Sequence, residues 1–189
     1  MLFFEIDKTI ILLNSQSKNF DLNNFNIGIE IKNMPHYKYI NRDIAQHFGM
    51  EAFYIYLRPF AFGFLNAISN FYELVVYSKL NKKLLVFILD ILQEEKEFFS
   101  VSISSKLRTK APIIHKFFTE GRSEKNVALI DWNAKSWAQN PNTCIPVHKF
   151  EGERMDANLL YLQKYLIEIA SEPDLSKRIK QDFNFSEQV

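Results

Sequence analysis

Short apolar segments of strand length alternate with helical segments along most of this chain. Residues 73–78 and 98–104 are apolar runs typical of strands, and residues 81–95 between them have the length and spacing of a largely buried helix. A strand-like segment at 126–131, which is apolar at 127–130 and ends in Asp131, precedes an amphipathic helical segment at 156–170. Strands that alternate with helices indicate βαβ units around a mainly parallel sheet. We therefore expect an α/β fold that is Rossmann-like, with a mainly parallel sheet flanked by helices.

The remaining segments add shorter elements to this plan. Further strands are expected at residues 2–13, 27–32, 52–57 and 143–147, and further helices at 60–72, at 133–140 and after Pro173. The helix at 60–72 would bury one apolar face, made of Phe60, Phe64, Ala67, Ile68 and Phe71. The helix at 156–170 would begin at Asp156 as its N-cap and bury Leu159, Leu162, Leu166 and Ile169.

The size of the chain fits one domain. Its 189 residues with 47% hydrophobic content can build one compact core. We expect a single domain over residues 1–189, in which residues 14–50 form a small β-hairpin or flap insertion of unknown role. Residues 156–185 would supply the closing helices.

Composition argues against several classes of function. The net charge is +1, from 23 basic and 22 acidic residues, so we expect no nucleic-acid partner that depends on a strong global field. The lone Cys144 allows no internal disulfide, and the four histidines lack the spacing of metal ligands. The longest apolar run, 84–92, is too short to span a bilayer, and no targeting signal is visible at the N-terminus.

Polar side chains stand where four of the expected strands end. They are Glu5, Asp7 and Thr9 after the first strand, Ser78, the region of Lys116, and Asp131. Ligands of parallel sheets bind outside the carboxyl ends of the strands. These residues are therefore the candidate site.

Four blocks of sequence carry a resemblance to a known family. Glu5-Ile6-Asp7-Lys8-Thr9 corresponds to a D-x-D-x-T motif, and "YIYLRPF" at 54–60 corresponds to a strand that ends in LRPG. "YELVVYSKL" at 72–80 and "VALIDWNAKSWAQNPNTCIPVHKFEGE" at 127–153 match two later blocks. Together they resemble the haloacid-dehalogenase (HAD) phosphatases, in the branch that acts on the RNA polymerase II C-terminal domain. The resemblance covers residues 1–13 and about 52–183, and it implies the HAD fold.

The resemblance also implies what the strand-end residues once did. In those enzymes the first motif residue is an aspartate that attacks phosphorus and forms an aspartyl-phosphate, and Glu5 stands at that position. Asp7 corresponds to the general acid/base. Thr9 is the motif threonine, and Ser78 would hold the phosphate. The phosphate-neutralising lysine is Lys116, one residue from the position that the spacing gives, His115. Asp131 opens the fourth motif, in which the next residue is an asparagine that contacts Mg²⁺.

Two departures from the family pattern predict that this site is inactive. Glu5 moves the attacking carboxylate about 1 Å outwards, and a displacement of that order can cost about a hundredfold in rate. Trp132 replaces the asparagine, and an indole cannot ligate Mg²⁺. The presequence-receptor subunit of the mitochondrial inner-membrane translocase, which lies in the same branch, can show similar departures. We therefore expect no enzyme activity and no cofactor, and Mg²⁺ only if the site is active.

Other interpretations of the same residues stay open. The chain could be an Mg²⁺-dependent protein phosphatase with Glu5 as nucleophile, or a non-catalytic phosphopeptide reader that uses Ser78 and Lys116. Asp131 could simply cap a helix that begins near Asn133, and Trp132 could be a packing residue.

Two surfaces are candidates for partner binding. Aromatic residues accumulate around the 52–57 strand and the helix after it, beyond what one strand–helix pair needs: Phe53, Tyr54, Tyr56, Phe60, Phe62 and Phe64. A basic turn carries Lys106, Arg108 and Lys110. The resemblance implies protein subunits of a larger mitochondrial assembly as partners, with presequence-like peptides as a further option. The chain would be peripheral to the inner membrane, without a transmembrane segment of its own.

Overall fold

The structure is a computed structural model that describes residues 1–16, 37–40, 52–80, 82–93, 96–104, 123–133 and 143–183. In chain order its elements are β1 (Leu2–Glu5), β2 (Ile11–Gln16), β3 (Tyr37–Ile40), β4 (Ala52–Leu57), α1 (Ala61–Ile68), β5 (Leu74–Ser78), α2 (Lys82–Leu92), β6 (Phe99–Ser104), β7 (Ala128–Asp131), β8 (Cys144–Pro146), α3 (Asn158–Glu168) and α4 (Leu175–Phe183).

The main sheet has five parallel strands in the order β6-β5-β1-β7-β8. Its central strand, β1, is buried along its whole length and pairs with β5 on one side and β7 on the other. A strand covered on both faces must be apolar throughout, which is why residues 2–4 are "LFF". The expected α/β fold with a mainly parallel sheet is confirmed.

A second, antiparallel sheet contains β2, β4 and β3 in that order. Its β2 shows that the single strand expected at 2–13 was wrong, because the chain turns between β1 and β2. The backbone N–H groups of Ile10 and Ile11 both donate to the carbonyl oxygen of Ile6, at 3.1 Å. Lys8, at φ 62°, takes the left-handed conformation that such a tight turn requires. The apolar run at 2–13 therefore contributes strands to two different sheets. The spacing of its apolar residues does not show where the first strand ends.

Helix α1 is shorter than expected, and its buried face is different. The buried side chains are Ala61, Phe64, Leu65 and Ile68. Phe60 and Phe71 lie outside the helix and are exposed. Phe60 has φ 67°, a conformation that favours glycine, which is the residue of the LRPG block that this segment resembles. The helix therefore starts one residue later than the aromatic spacing suggested.

Helix α3 buries the expected leucines, but Asp156 is not its N-cap. Leu159, Leu162 and Leu166 face the core, and Ile169 is buried just beyond the helix. The cap position is Ala157, which makes no side-chain capping hydrogen bond. Asp156 lies one residue earlier, where its Oδ1 atom accepts the backbone N–H of Asn158 at 2.8 Å and its Oδ2 atom is held by a buried partner.

That partner is Arg58, whose side chain is fully buried. Its Nε and Nη2 atoms donate to Oδ2 of Asp156 at 3.1 and 2.8 Å, and its Nη1 donates to the carbonyl oxygen of Thr9 at 3.0 Å. The Asp156 side chain is 4% exposed. The guanidinium also lies 5.5 Å from the ring centre of Phe150. One cation therefore joins the turn after β1, the end of β4 and the start of α3.

Helix α4 is anchored in two ways. Leu175 and Ile179 are buried, and Arg178 lies on the outer side in reach of Glu168, Glu172 and Asp182. These ion pairs are partly exposed, so each contributes little compared with the Arg58 pair.

Several expected elements lie outside the described residues: the strand at 27–32, the helix at 133–140 and the basic turn. Within the part of the chain that the structure describes, no helix combines the length and apolar character needed to cross a bilayer.

Replacing Asp156 should destabilise the fold strongly. Asp156→Asn keeps the shape but leaves the Arg58 charge buried without its counter-charge, so the free energy of unfolding should fall by about 3–5 kcal/mol. Glu172→Gln is the matched control, since it removes one carboxylate from a partly exposed pair and should change the free energy by less than about 1 kcal/mol. Urea denaturation measures both, and equal effects would contradict this role of Arg58.

The pH profile gives a second measurement of the same pair. Burial by itself would raise the pKa of the Asp156 carboxyl, but hydrogen bonds from Arg58 and Asn158 outweigh it and hold the pKa below its usual value. The stabilisation is then present above the unfolded-state pKa of about 3.9 and is lost as pH falls through the lower folded-state pKa. The Asp156→Asn variant should lack this acid-dependent loss.

Candidate functional site

A pocket opens at the carboxyl end of the main sheet, where β1 meets β5 and β7. Its lining residues come from three strand ends: Glu5, Asp7, Ser78, Lys79, Leu80, Asp131, Trp132 and Asn133. The pocket has a volume of about 90 Å³, enough for a few water molecules or one small polar group. In the sheet order, β5 and β6 lie on one side of β1, and β7 and β8, which follow β6 in the chain, lie on the other side. This crevice therefore lies at the switch point of the sheet order.

The end of β1 and the turn after it place two carboxylates, but not the motif threonine, in the pocket wall. Glu5 ends the strand and is 6% exposed, whereas Asp7 is half-buried. Thr9 is fully buried, does not line the pocket, and offers its carbonyl oxygen to Arg58. Within the described residues its hydroxyl has no hydrogen-bond partner. The side chain of the motif threonine is therefore not part of the pocket wall.

Ser78 and Asp131 form local hydrogen bonds at the ends of their strands. The Ser78 hydroxyl oxygen accepts the backbone N–H of Leu80 at 3.1 Å. One carboxylate oxygen of Asp131 accepts the backbone N–H of Asn133 at 2.8 Å, the i to i+2 pattern of an Asx turn. Both side chains are fully buried, so these bonds fix their orientation at the pocket wall.

Trp132 lines the pocket, and two ammonium groups lie close to its ring. The Lys8 Nζ atom is 5.3 Å and the Lys149 Nζ atom 5.9 Å from the centre of its ring system, both within cation–π range. Lys149 also pairs with Glu151, and this pairing lowers the pKa of the Glu151 carboxyl. The indole wall of the pocket is therefore held in a positively charged surrounding.

The negative charge of the site contributes to the raised pKa of a neighbouring side chain, Tyr77. Burial, together with the smaller effects of the negative charges of Glu5 and Asp131, raises the pKa of Tyr77 to about 12. The phenol of Tyr77 therefore stays neutral and cannot add to the negative charge between β1 and β7.

The residues present are a poor fit to the Mg²⁺ ion that the resemblance implies. Magnesium requires oxygen ligands in near-octahedral geometry. Glu5, Asp7 and Asp131 share the pocket, yet no group of three or more His, Cys, Asp or Glu side chains among the described residues is arranged to hold a metal. Trp132 supplies a ring in place of an oxygen, and Lys8 and Lys149 add positive charge beside it.

The structure thus brings together Glu5, Asp7, Ser78, Asp131 and Trp132 and separates Thr9 from them. Lys116, Phe53, Tyr54, Lys106, Arg108 and Lys110 have side chains that lie outside the described ones. Among the candidate partner-binding aromatics, Tyr56 is half-buried, Phe60 and Phe62 are exposed, and Phe64 is buried against Phe4 in an edge-to-face contact. Phe64 is therefore a core residue.

The sequence interpretation missed three residues that shape the site: Lys8, Lys149 and Arg58. Lys8 stands inside the first motif, and Arg58 precedes a proline after an apolar strand, so both had a sequence signal. Lys149 had none, because it reaches Trp132 only through the fold.

Removing the hydroxyl group of Thr9 and removing that of Ser78 should have different effects on the free energy of unfolding. Thr9→Val replaces a buried hydroxyl that lacks a partner, so the free energy of unfolding should stay the same or rise by about 1 kcal/mol. Ser78→Ala removes the acceptor of the Leu80 N–H and should lower it by about 1 kcal/mol. Urea denaturation of the two variants checks both, and a large loss for Thr9→Val would mean that its hydroxyl is hydrogen-bonded.

Comparisons with known proteins give a family and a fold. The sequence profile of the NLI interacting factor-like phosphatases matches residues 1–176. No curated protein matches this chain. Among solved structures, the fission yeast RNA polymerase II CTD phosphatase Fcp1, as an arginine-to-alanine variant bound to beryllium fluoride, shares 18% identity with a TM-score of 0.59. That match covers 97% of this chain and 54% of the Fcp1 chain.

A second structure, of Fcp1 as an essential RNA polymerase II CTD phosphatase, shares 17% identity with a TM-score of 0.60. It covers 100% of this chain and 53% of the other. This chain therefore spans about half the length of both structures, and at such identities the likeness shows the fold alone. Because the family profile extends over most of the sequence, from β1 to the start of α4, the chain belongs to the NLI interacting factor-like phosphatase family.

Proposed function

We propose that this chain is a catalytically inactive member of its family, a pseudophosphatase that acts as a protein-binding or scaffolding subunit of a larger assembly. The observation that carries the proposal is the pairing of Glu5 and Trp132 in one pocket. Each of them changes a different requirement of phosphoryl transfer.

Glu5 changes the position of the attacking group. In the resembled phosphatases an aspartate at this position attacks phosphorus, and glutamate carries its carboxylate one methylene further from the backbone. Glu5 ends a strand that is hydrogen-bonded on both sides, so the backbone has little freedom to withdraw and compensate. A displacement of about 1 Å from the attacking position can reduce the rate about a hundredfold.

Trp132 changes the charge and the ligands of the pocket. Without a divalent cation the carboxylates of Glu5, Asp7 and Asp131 repel a phosphate dianion. The ammonium groups of Lys8 and Lys149 lie over the Trp132 indole, so cation–π attraction stabilises the ring in this position. Their positive charge also repels a metal cation that would enter the pocket. The pocket therefore favours neither the negatively charged phosphate of a substrate nor a positively charged metal ion.

The partner and the compartment are part of the same proposal. Similar departures from the motif occur in the presequence-receptor branch, which supports a mitochondrial assembly at the inner membrane as the partner. Purification from the native source identifies the assembly directly. Recovery of the chain as a lone monomer, free of any stable partner, would argue against the scaffold function.

The wild-type protein should not hydrolyse phosphate esters. With p-nitrophenyl phosphate and millimolar Mg²⁺, its rate of hydrolysis should equal that of the Asp7→Asn variant. Without nucleophilic attack on phosphorus, the general acid/base Asp7 has no proton transfer to catalyse. A higher wild-type rate, lost in Asp7→Asn, would support the alternative of an Mg²⁺-dependent phosphatase with Glu5 as nucleophile. A beryllium fluoride adduct on Glu5 would support it too.

Reversing the departures at Glu5 and Trp132 together tests whether these two residues prevent the binding of Mg²⁺. Glu5→Asp with Trp132→Asn restores the short carboxylate and an oxygen ligand, so the double variant should gain Mg²⁺-dependent thermal stabilisation that the wild type lacks. Each single variant should gain less, since the carboxylate and the oxygen ligand belong to one site. If the wild type is stabilised by Mg²⁺ as much as the double variant, Trp132 does not exclude the metal.

The third interpretation, a phosphopeptide reader, has one supporting observation. Ser78 lines the pocket, and the lysines 8, 79 and 149 lie in or beside it. Three carboxylates oppose this function at neutral pH. Saturable binding of a phosphoserine peptide that is lost in Ser78→Ala would favour it over the scaffold.

A further inference from the structure

Both signs of charge meet at the pocket of the strand ends. Three of its lining side chains are carboxylates: Glu5, Asp7 and Asp131. The lining also contains one ammonium group, that of Lys79. Two more, those of Lys8 and Lys149, lie 5.3 and 5.9 Å from the ring centre of Trp132, which is itself part of the wall. An ion of either sign in this pocket therefore lies close to groups that repel it.

Hydrogen-bond acceptors and donors stand on different sides of the pocket. The carboxylates of Glu5 and Asp7 lie at the end of β1 and in the turn after it. Lys79 directly follows the neighbouring strand β5, and Ser78 is its last residue. The Ser78 oxygen accepts the backbone N–H of Leu80, so the hydroxyl keeps its own hydrogen as a donor. The β1 side thus offers acceptors, and the β5 side offers donors.

The size of the pocket limits the group that can use both sides. A volume of about 90 Å³ holds one small polar group. A hydroxyl group donates and accepts through a single oxygen atom. A carboxamide carries its acceptor and its donors on two separate atoms, a carbonyl oxygen and an NH₂ group, and it is uncharged. It therefore matches a pocket whose donors and acceptors come from two strands.

Charged groups of the same shape match this pocket less well. A carboxylate would bring a second negative charge to Glu5 and Asp131, which are 6% and 0% exposed, so solvent and salt screen the repulsion little. An amidinium group has the same planar form but no oxygen to accept a hydrogen bond from Ser78, and its charge repels Lys79. Of the three, only the carboxamide meets no repulsion.

We propose that the pocket binds a neutral carboxamide group, presented by an asparagine or glutamine side chain of a partner protein. The carbonyl oxygen accepts a hydrogen bond from Ser78 or Lys79, and the NH₂ group donates to the carboxylate of Glu5 or Asp7. This inference rests on the proposed function, because a working phosphatase would fill the pocket with phosphate instead. The pocket thereby recognises one side chain of the assembly to which the chain belongs.

Three small compounds of equal shape test the ligand class. Acetamide is neutral, acetate is negative and acetamidinium is positive, and each is added to the full chain at constant ionic strength. NMR follows the indole N–H signal of Trp132, which is identified by its loss in Trp132→Phe. Acetamide should bind with a dissociation constant on the order of 1–10 mM, as expected for so few atoms, and at least about tenfold more tightly than either ion.

Two variants test whether the balance of charge sets this order. Asp7→Asn removes a carboxylate and should shift the preference towards acetate at least about threefold, whereas Lys79→Gln should shift it towards acetamidinium by a similar factor. A merely structural effect would weaken all three compounds alike. Lys125→Gln is the matched control, because it removes an exposed lysine that precedes β7, at the opposite edge of the sheet. It should leave the order unchanged.

The source of the carboxamide has its own measurement. N-acetylglutamine methylamide should bind at least as tightly as acetamide, and its exclusion from the pocket would overturn the assignment to a protein side chain. Acetate or acetamidinium that binds as tightly as acetamide overturns the inference, and so does the lack of a saturable shift with all three. Hydrolysis of p-nitrophenyl phosphate decides the proposed function separately: without turnover, a preference for acetate refutes this inference alone.

Discussion

The buried ion pair between Arg58 and Asp156 is the interaction on which the geometry of the pocket depends. An unpaired guanidinium in the core would be very costly, so every element that supplies it with an acceptor must stay in place. Those elements are the turn after β1, through the Thr9 carbonyl, and the start of α3, through Asp156. The turn that presents Asp7 is therefore fixed by a cation that does not itself line the pocket.

The pocket combines three carboxylates from two strand ends with lysine side chains close to its tryptophan wall. The strand ends still place Glu5, Ser78 and Asp131 together, because parallel strands on either side of β1 end at one edge of the sheet. The positive charge nearby is carried by Lys8 and Lys149, over an indole ring. The proposed scaffold function rests on this arrangement of Glu5 and Trp132 in one pocket.

Much of the fold was predictable because the strands of the main sheet are either continuous apolar runs, as in β5, or alternate apolar residues with polar ones, as in β6. Strands β5, β6 and β7 and helices α2 and α3 lie where the apolar pattern put them. The prediction was wrong where one apolar run served two sheets, between β1 and β2, and where Phe60 and Phe71 continued a helical spacing beyond the helix. In both places the local pattern was compatible with two structures, and hydrogen bonds or burial by distant residues selected one.

The sequence by itself determined the fold class and the residue types at each strand end, because periodicity and the order of the motifs are properties of the chain alone. The sequence also led to the prediction that Glu5 and Trp132 depart from the motifs of the resembled phosphatases. Only the tertiary structure decided that Thr9 turns away from the pocket, that Lys149 reaches Trp132, and that Arg58 is buried against Asp156. The physical reason is that burial and charge pairing depend on which residues meet across the core, and residues 98 positions apart meet only when the chain has folded.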